Sequence, residues 1–127
     1  MGWEVARTKA DNRTVGTHYE KIAVEYLKKQ GYQILETNFR CKMGEADIVA
    51  RDGEYLCFIE VKYRTGSNAG APEDAVDFKK QKRICRVSEF YLLRYGKNMS
   101  EQIRYDVVAI TDGQIRLYQN AFSYIPR

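Results

Sequence analysis

The stretch GEADIVARDGEYLCFIEVK, Gly44 to Lys62, constrains the fold of this chain more than any other. Two apolar runs flank Asp52-Gly53, a dipeptide that favours the positive backbone angles of a two-residue hairpin loop. With Asp52 and Gly53 as the loop, Arg51 faces Glu54, Val49 faces Leu56, Asp47 faces Phe58 and Glu45 faces Glu60. Side chains alternate along a strand and paired residues share a side, so Glu45, Asp47, Val49, Leu56, Phe58, Glu60 and Lys62 lie on one face. Asp47 and Glu60 become diagonal neighbours, roughly 7–8 Å apart at the backbone, close enough for their side chains to converge on one ion. The other face, Ile48, Ala50, Tyr55, Cys57, Ile59 and Val61, is largely apolar. Such a hairpin belongs inside a sheet covered on both sides, with its polar groups at the open end.

Carboxylates crowded at that end repel one another and lose hydration, which is tolerable only if a cation shares the site or water reaches it freely. Lys62 supplies one positive charge against three acids. Oxygen ligands of this kind suit Mg²⁺ or Mn²⁺ rather than zinc or copper. The competing reading is a surface salt-bridge cluster at a strand end.

Upstream, Val15, Tyr19, Ile22, Ala23, Tyr26 and Leu27 share one stripe of a helix over Thr14 to Gln30, stopped by Gly31. Glu20 lies at the edge of that stripe, where it can reach inward at a helix–sheet boundary. YQILETN reads as a short strand, with a loop through Cys41 to Gly44. Downstream, RTGSNAGAP is loop, and a helix is expected from about Pro72 to Tyr95 with Val76, Ile84, Val87, Tyr91 and Tyr95 on one stripe. The runs IRYDVVAI and QIRLY flank Asp112-Gly113 as a second hairpin. The order is α-β-β-β-α-β-β, an α/β (α+β) chain with a central mixed sheet flanked by helices.

At 127 residues with 44% hydrophobic and 30% charged, the composition is that of one globular domain over residues 1–127, with residues 1–13 as a flexible N-terminal segment. Apolar runs fall far short of the ~20 residues that cross a bilayer, and the N-terminus lacks the apolar core of a signal peptide, so the expected compartment is the cytoplasm. Cys41, Cys57 and Cys85, with one histidine and no CxxC, suggest neither a disulfide framework nor a zinc site. No glycine-rich phosphate loop occurs, which removes the common nucleotide-cofactor enzymes. Net charge is +4, and Lys79, Lys80, Lys82, Arg83 and Arg86 concentrate basic charge in the first half of the second helix.

Five groups of residues and the basic second helix, within a span of about Val15 to Ile110, together resemble the YraN-like family of small bacterial proteins, within the PD-(D/E)xK, restriction-endonuclease-like nuclease superfamily. The five groups are Gly16-x-x-x-Glu20-x-x-Ala23-x-x-Tyr26-Leu27, Gly44-Glu45-x-Asp47-Ile48, Phe58-x-Glu60-Val61-Lys62-x-Arg64, Pro72-x-x-Ala75-Val76 and Arg104-Tyr105-Asp106-Val107-Val108. The resemblance implies a restriction-endonuclease-like core with the active site at one edge of the sheet. It assigns Mg²⁺ or Mn²⁺ to Asp47 and Glu60, with the Val61 carbonyl and, as in archaeal Holliday-junction resolvases, Glu20 near the metal. Lys62 takes the role of orienting the attacking water or stabilising the phosphate, and Glu45 belongs to the family signature as a supporting residue. Ala46 stands where the superfamily's nominal proline precedes the aspartate, and Ala69 where the family pattern usually has an aromatic.

The expected activity is metal-dependent phosphodiester hydrolysis of nucleic acid, DNA ahead of RNA, resembling a structure-specific endonuclease. Arg64, Lys79, Lys80, Lys82, Arg83, Arg86 and Arg104 would hold the phosphate backbone without reading sequence. No membrane partner is expected, and a homodimer is compatible. Two rivals stand beside this reading: a nuclease fold that binds nucleic acid without cutting it, and a structural or interaction protein whose acids form salt bridges.

Overall fold

The computed structural model describes residues 9–64, 76–96 and 101–127, with side chains from residue 16 onward. Among them the elements run α1 (Lys9–Lys29), β1 (Gln33–Cys41), β2 (Gly44–Asp52), β3 (Tyr55–Arg64), α2 (Phe78–Arg94), β4 (Gln102–Thr111) and β5 (Gln114–Phe122). This is the expected α-β-β-β-α-β-β order, a mixed α/β fold. The strands form one sheet in sequence order, with β3 and β4 parallel and every other neighbouring pair antiparallel. A parallel pair needs a crossover, and α2 lies on that connection.

Each helix covers one face. Ala23 and Leu27 of α1 pack on Ile48, Ala50, Cys57, Ile59, Val108 and Ile110. Ile84, Val87, Tyr91 and Leu92 of α2 pack on Val49, Leu56, Phe58, Tyr105 and Val107. The alternation along β2, β3 and β4 therefore reads apolar on both sides, as a central strand must when covered twice. Cys57 and Cys85 are buried free thiols and Cys41 is half-buried. Among the described residues no helix is long and apolar enough to cross a membrane.

Several boundaries differ from the sequence expectation, and β5 runs on past QIRLY to Phe122. Helix α1 begins at Lys9 rather than Thr14, so residues 9–13, expected as flexible segment, are helical; the side chain of Val15 lies outside the described residues. Helix α2 begins at Phe78, not near Pro72, because Asp77 is extended (φ −72°, ψ 170°) and its carboxylate accepts from the Lys80 amide, which makes Asp77 the cap. The loop Arg64 to Pro72 falls, beyond Arg64 itself, outside the described residues, as do Ala69, Pro72 and Ala75. Strand β1 extends to Cys41 instead of giving way to a loop, and turns tightly back into Gly44.

The two hairpins part company over their Asp-Gly dipeptides. Between β4 and β5, Thr111 opposes Gln114 across Asp112 and Gly113, both at positive φ (48° and 82°), as expected. Between β2 and β3, Asp52 opposes Tyr55, Arg51 opposes Leu56 and Val49 opposes Phe58, so the loop is Gly53-Glu54 and the register slides by two residues. Gly53 alone supplies the left-handed φ of 59°, while Asp52 stays in the strand, where its carboxylate accepts from Arg104 at 2.8 Å. A slide of two preserves the face of each residue along the paired span from Ile48–Ile59 to Asp52–Tyr55; before Ile48 the alternation breaks, and Ala46 rather than Glu45 shares the side of Val49.

Arg104 is the centre of a polar network at the loop end of that hairpin. Its guanidinium grips fully buried Asp106 by two hydrogen bonds of 2.9 Å. Asp106 also accepts from the Tyr32 hydroxyl at 2.8 Å and the Asn120 amide at 2.9 Å, so its oxygens are well satisfied. The Arg104 guanidinium lies 4.9 Å from the Tyr55 ring centre as well. Removing one partner of a buried, hydrogen-bonded pair leaves the other charge stranded. Asp106→Ala is therefore expected to lose about 3–5 kcal/mol in urea unfolding; a loss below about 1 kcal/mol would put the pair in the class of dispensable surface bridges.

Candidate metal centre

Strand β3 runs apolar from Leu56 to Ile59 and then presents Glu60, which remains buried. Beside it β2 brings Asp47. The backbone ladder between the two strands extends to Ile48 and Ile59; one step further, the Val61 amide donates to Asp47 Oδ2 at 2.9 Å, so a side chain serves as acceptor beyond the last backbone pair. Asp47 and Glu60 each follow directly on that last pair, one residue beyond it on its own strand. Their side chains share a hydrogen bond, and so a proton.

Burial, and then the neighbouring Asp47 charge, push the Glu60 carboxyl from the ordinary 4.5 up to about 8, against the pull of Lys80. Asp47 is also raised, chiefly by burial; the Val61 amide opposes the shift and Glu45 adds to it. Thus this pair holds a proton well above the pH at which carboxyls normally release it.

Glu20 and Glu45 complete the cluster. One carboxylate oxygen from each of Glu20, Glu45 and Asp47 lies within 4.8 Å of the others. Burial and Asp47 raise Glu20, while the Asn38 side chain, hydrogen-bonded to it, acts in the opposite direction. Glu45 pairs with exposed Arg40 at 3.3 Å. The convergence depends on a local break in β2: Ala46 joins the α2-side core together with Val49, although regular alternation would separate them. Opposite this break stands Asn38, at φ 55°, between the pairs Thr37–Ile48 and Phe39–Ala46. Asparagine tolerates that left-handed conformation better than most residues.

The expected basic residues divide into groups. Lys80 turns inward and its Nζ lies 3.3 Å from Glu60, so a residue expected to hold phosphate stands in the acidic cluster. Lys79, Lys82 and Arg83 are exposed, and Lys62 is exposed beyond Glu60. The stem of Arg83 covers Gly44, where a Cβ would come within 2.8 Å of Arg83 Cγ and Cδ and where φ is 142°, so that position favours glycine. Arg86 is directed to the C-terminal segment, donating to the Ile125 carbonyl and lying 5.5 Å from the Tyr124 ring centre. Arg64 is half-buried. Arg104 sits in the Asp52–Asp106 network, five residues of strand from Asp47, or roughly 16 Å. Asp47, Glu60, Glu20, Glu45 and Lys80 thus come together, and Arg86 and Arg104 do not join them.

Sequence reasoning missed Lys80 and Asn38 as members of the site. The asparagine carried a faint signal in its turn preference. For Lys80 nothing local distinguishes it from its basic neighbours.

The donor set fits a hard divalent cation. It is all oxygen, partly open to water, and its charge exceeds what Lys80 offsets. The raised Glu60 value has a definite sign. A carboxyl whose folded value exceeds its unfolded value stabilises the fold below about 4.5 and loses that contribution as pH rises through about 8. In EDTA, Glu60→Gln, which keeps the neutral form at every pH, is expected to melt with the parent near pH 4.5 and above it at pH 8.5. Parallel melting curves across that range would show that Glu60 titrates normally.

Comparison with known proteins agrees on one family. A family model described as "Uncharacterised protein family UPF0102" matches residues 19–110. A UPF0102 protein of Lachnoclostridium phytofermentans is 46% identical over 112 residues, 88% of this chain and 95% of the relative. One from Clostridium botulinum strain 657 is 39% identical over 117 residues, 87% of this chain and 95% of the relative. The matched span contains Glu20, Glu45, Asp47, Glu60, Lys62 and Lys80, and this chain belongs to the UPF0102, or YraN-like, family.

Proposed function

We propose that this protein is a divalent-metal-dependent phosphodiesterase acting on nucleic acid. The observation that carries the reading is the convergence of Glu20, Glu45 and Asp47 to within 4.8 Å, beside a Glu60 whose proton is held up to about pH 8. A chain gains nothing in stability from acids packed so closely without a cation.

Asp47 and Glu60, with Glu20 and the Val61 carbonyl, would hold Mg²⁺ or Mn²⁺. When bound, such an ion polarises a phosphate oxygen and acidifies a coordinated water. The residues divide the remaining work. The Val61 amide fixes the Asp47 carboxylate in place. Lys80 supplies positive charge that favours ionisation of Glu60. Lys62, two residues beyond Glu60 and exposed, is free to meet the scissile phosphate and stabilise charge that develops there. Glu45 tethers Arg40 at the rim. The exposed Lys79, Lys82 and Arg83 give sequence-independent attraction for the backbone.

One observation favours the non-cutting binder: the Lys80 ammonium, 3.3 Å from Glu60, already offsets part of the acidic charge of the cluster. A cleavage assay separates the readings. Single-stranded, duplex, flap and four-way-junction DNA, with RNA counterparts, are incubated with Mn²⁺, Mg²⁺ or EDTA. Cleavage with metal and none in EDTA is expected. Asp47→Asn should cut at least about a hundredfold more slowly while binding substrate as the parent does. Binding without metal-dependent turnover in the parent would select the binder, and no binding at moderate salt would select the structural role.

A further inference from the structure

The first turn of α2 faces two ways. Its inner side carries Lys80 to the acidic cluster, and its outer side begins with Phe78. Phe78 is 63% exposed, whereas Phe39 and Phe58 are buried and Phe90 and Phe122 are half-buried. A single exposed apolar residue is ordinary. The surroundings of this one are not. Lys79 beside it and Lys82 one turn on are exposed, no acid lies in the first turn of the helix beyond its cap Asp77, and the Lys82 Nζ lies over the ring, 5.7 Å from its centre.

An open aromatic ring within a basic surface has the composition of a single-strand platform: cations follow the phosphates, and the ring takes a base. Any nucleobase offers a π-face, so such a contact does not select sequence. A duplex keeps its bases stacked on one another and offers none to a side chain outside the grooves. The ring therefore distinguishes unpaired from paired strands. Its position matters equally, because Lys80, two residues along the same turn, reaches Glu60.

We infer that Phe78 is a stacking platform for an unpaired nucleobase, with Lys79 and Lys82 on the adjoining phosphates, so that the substrate class is nucleic acid with a single-stranded region beside the scissile bond. The inference rests on the nucleic-acid reading above and deepens it.

The test needs no catalysis. Fluorescence anisotropy in EDTA, over a series of salt concentrations, follows binding of a labelled oligothymidylate of about 15 nucleotides, a length that spans one such site, and of a duplex of equal length. The proteins are the parent, Phe78→Ala, Phe78→Trp and Lys79→Gln/Lys82→Gln, each checked by melting. Phe78→Ala is expected to weaken oligothymidylate binding about tenfold with the salt slope unchanged and duplex binding nearly so, and Phe78→Trp to restore it. Lys79→Gln/Lys82→Gln should instead flatten the salt slope by about one per lost phosphate contact, on both probes. If Phe78→Ala binds oligothymidylate as the parent does while the lysine variant binds more weakly, the platform is overturned and the nucleic-acid reading stands. If the parent binds neither probe at low salt, both fall.

Discussion

Strand β3 is the constraint on which the rest of the structure depends. It is bonded to β2 on one edge and to β4 along its full length on the other, and helices cover both of its faces. Within it, polar side chains have no place from Leu56 to Ile59. At Glu60 the cover thins and polar chemistry begins. Its partner β2 stops pairing at the same level, which frees the Val61 amide to hold Asp47. The site is thus a product of where a doubly covered strand ends, and its acids are held by backbone that cannot move without disturbing both core clusters.

The sheet contains a second buried acid, and the contrast with the first is instructive. Asp106 has its own guanidinium in bidentate contact, a tyrosine hydroxyl and a backbone amide. The chain supplies everything that this charge needs. At Asp47 and Glu60 the chain supplies one amide and one half-exposed lysine, then adds two further carboxylates. The same fold that satisfies one buried acid completely leaves the other cluster with excess negative charge and raised pKa values. On the proposed function, that difference separates an ion pair serving stability from a cluster that an external cation would complete.

Much of this was legible in the sequence, for reasons that particular residues make plain. The strict two-residue period of a strand put Asp47 and Glu60 together even though the turn was misplaced, because the error was two residues and period two does not register it. Glu20 was legible from its place at the margin of an apolar stripe. What escaped notice depends on contacts between distant segments. Asp52 stays out of the loop because Arg104, in another strand, holds it. Lys80 reaches Glu60 only once α2 is laid over the sheet. The start of α2 at Phe78, capped by Asp77, is hidden in the sequence by Pro72, a residue equally suited to open a helix. The break in β2 near Ala46 leaves no mark in its own residues and is paired with a left-handed Asn38 on the neighbouring strand.

The claim at the centre of this account is that the cluster around Asp47 exists to hold a divalent cation. Isothermal titration of Mn²⁺ into the metal-free protein near neutral pH, repeated in buffers of different ionisation enthalpy, tests it most directly. The account predicts saturable binding whose heat depends on the buffer, because the proton shared by Glu60 and Asp47 leaves as the ion enters, and loss of that signal in Asp47→Asn. Absence of saturable binding in the parent, or equal binding by Asp47→Asn, would contradict it.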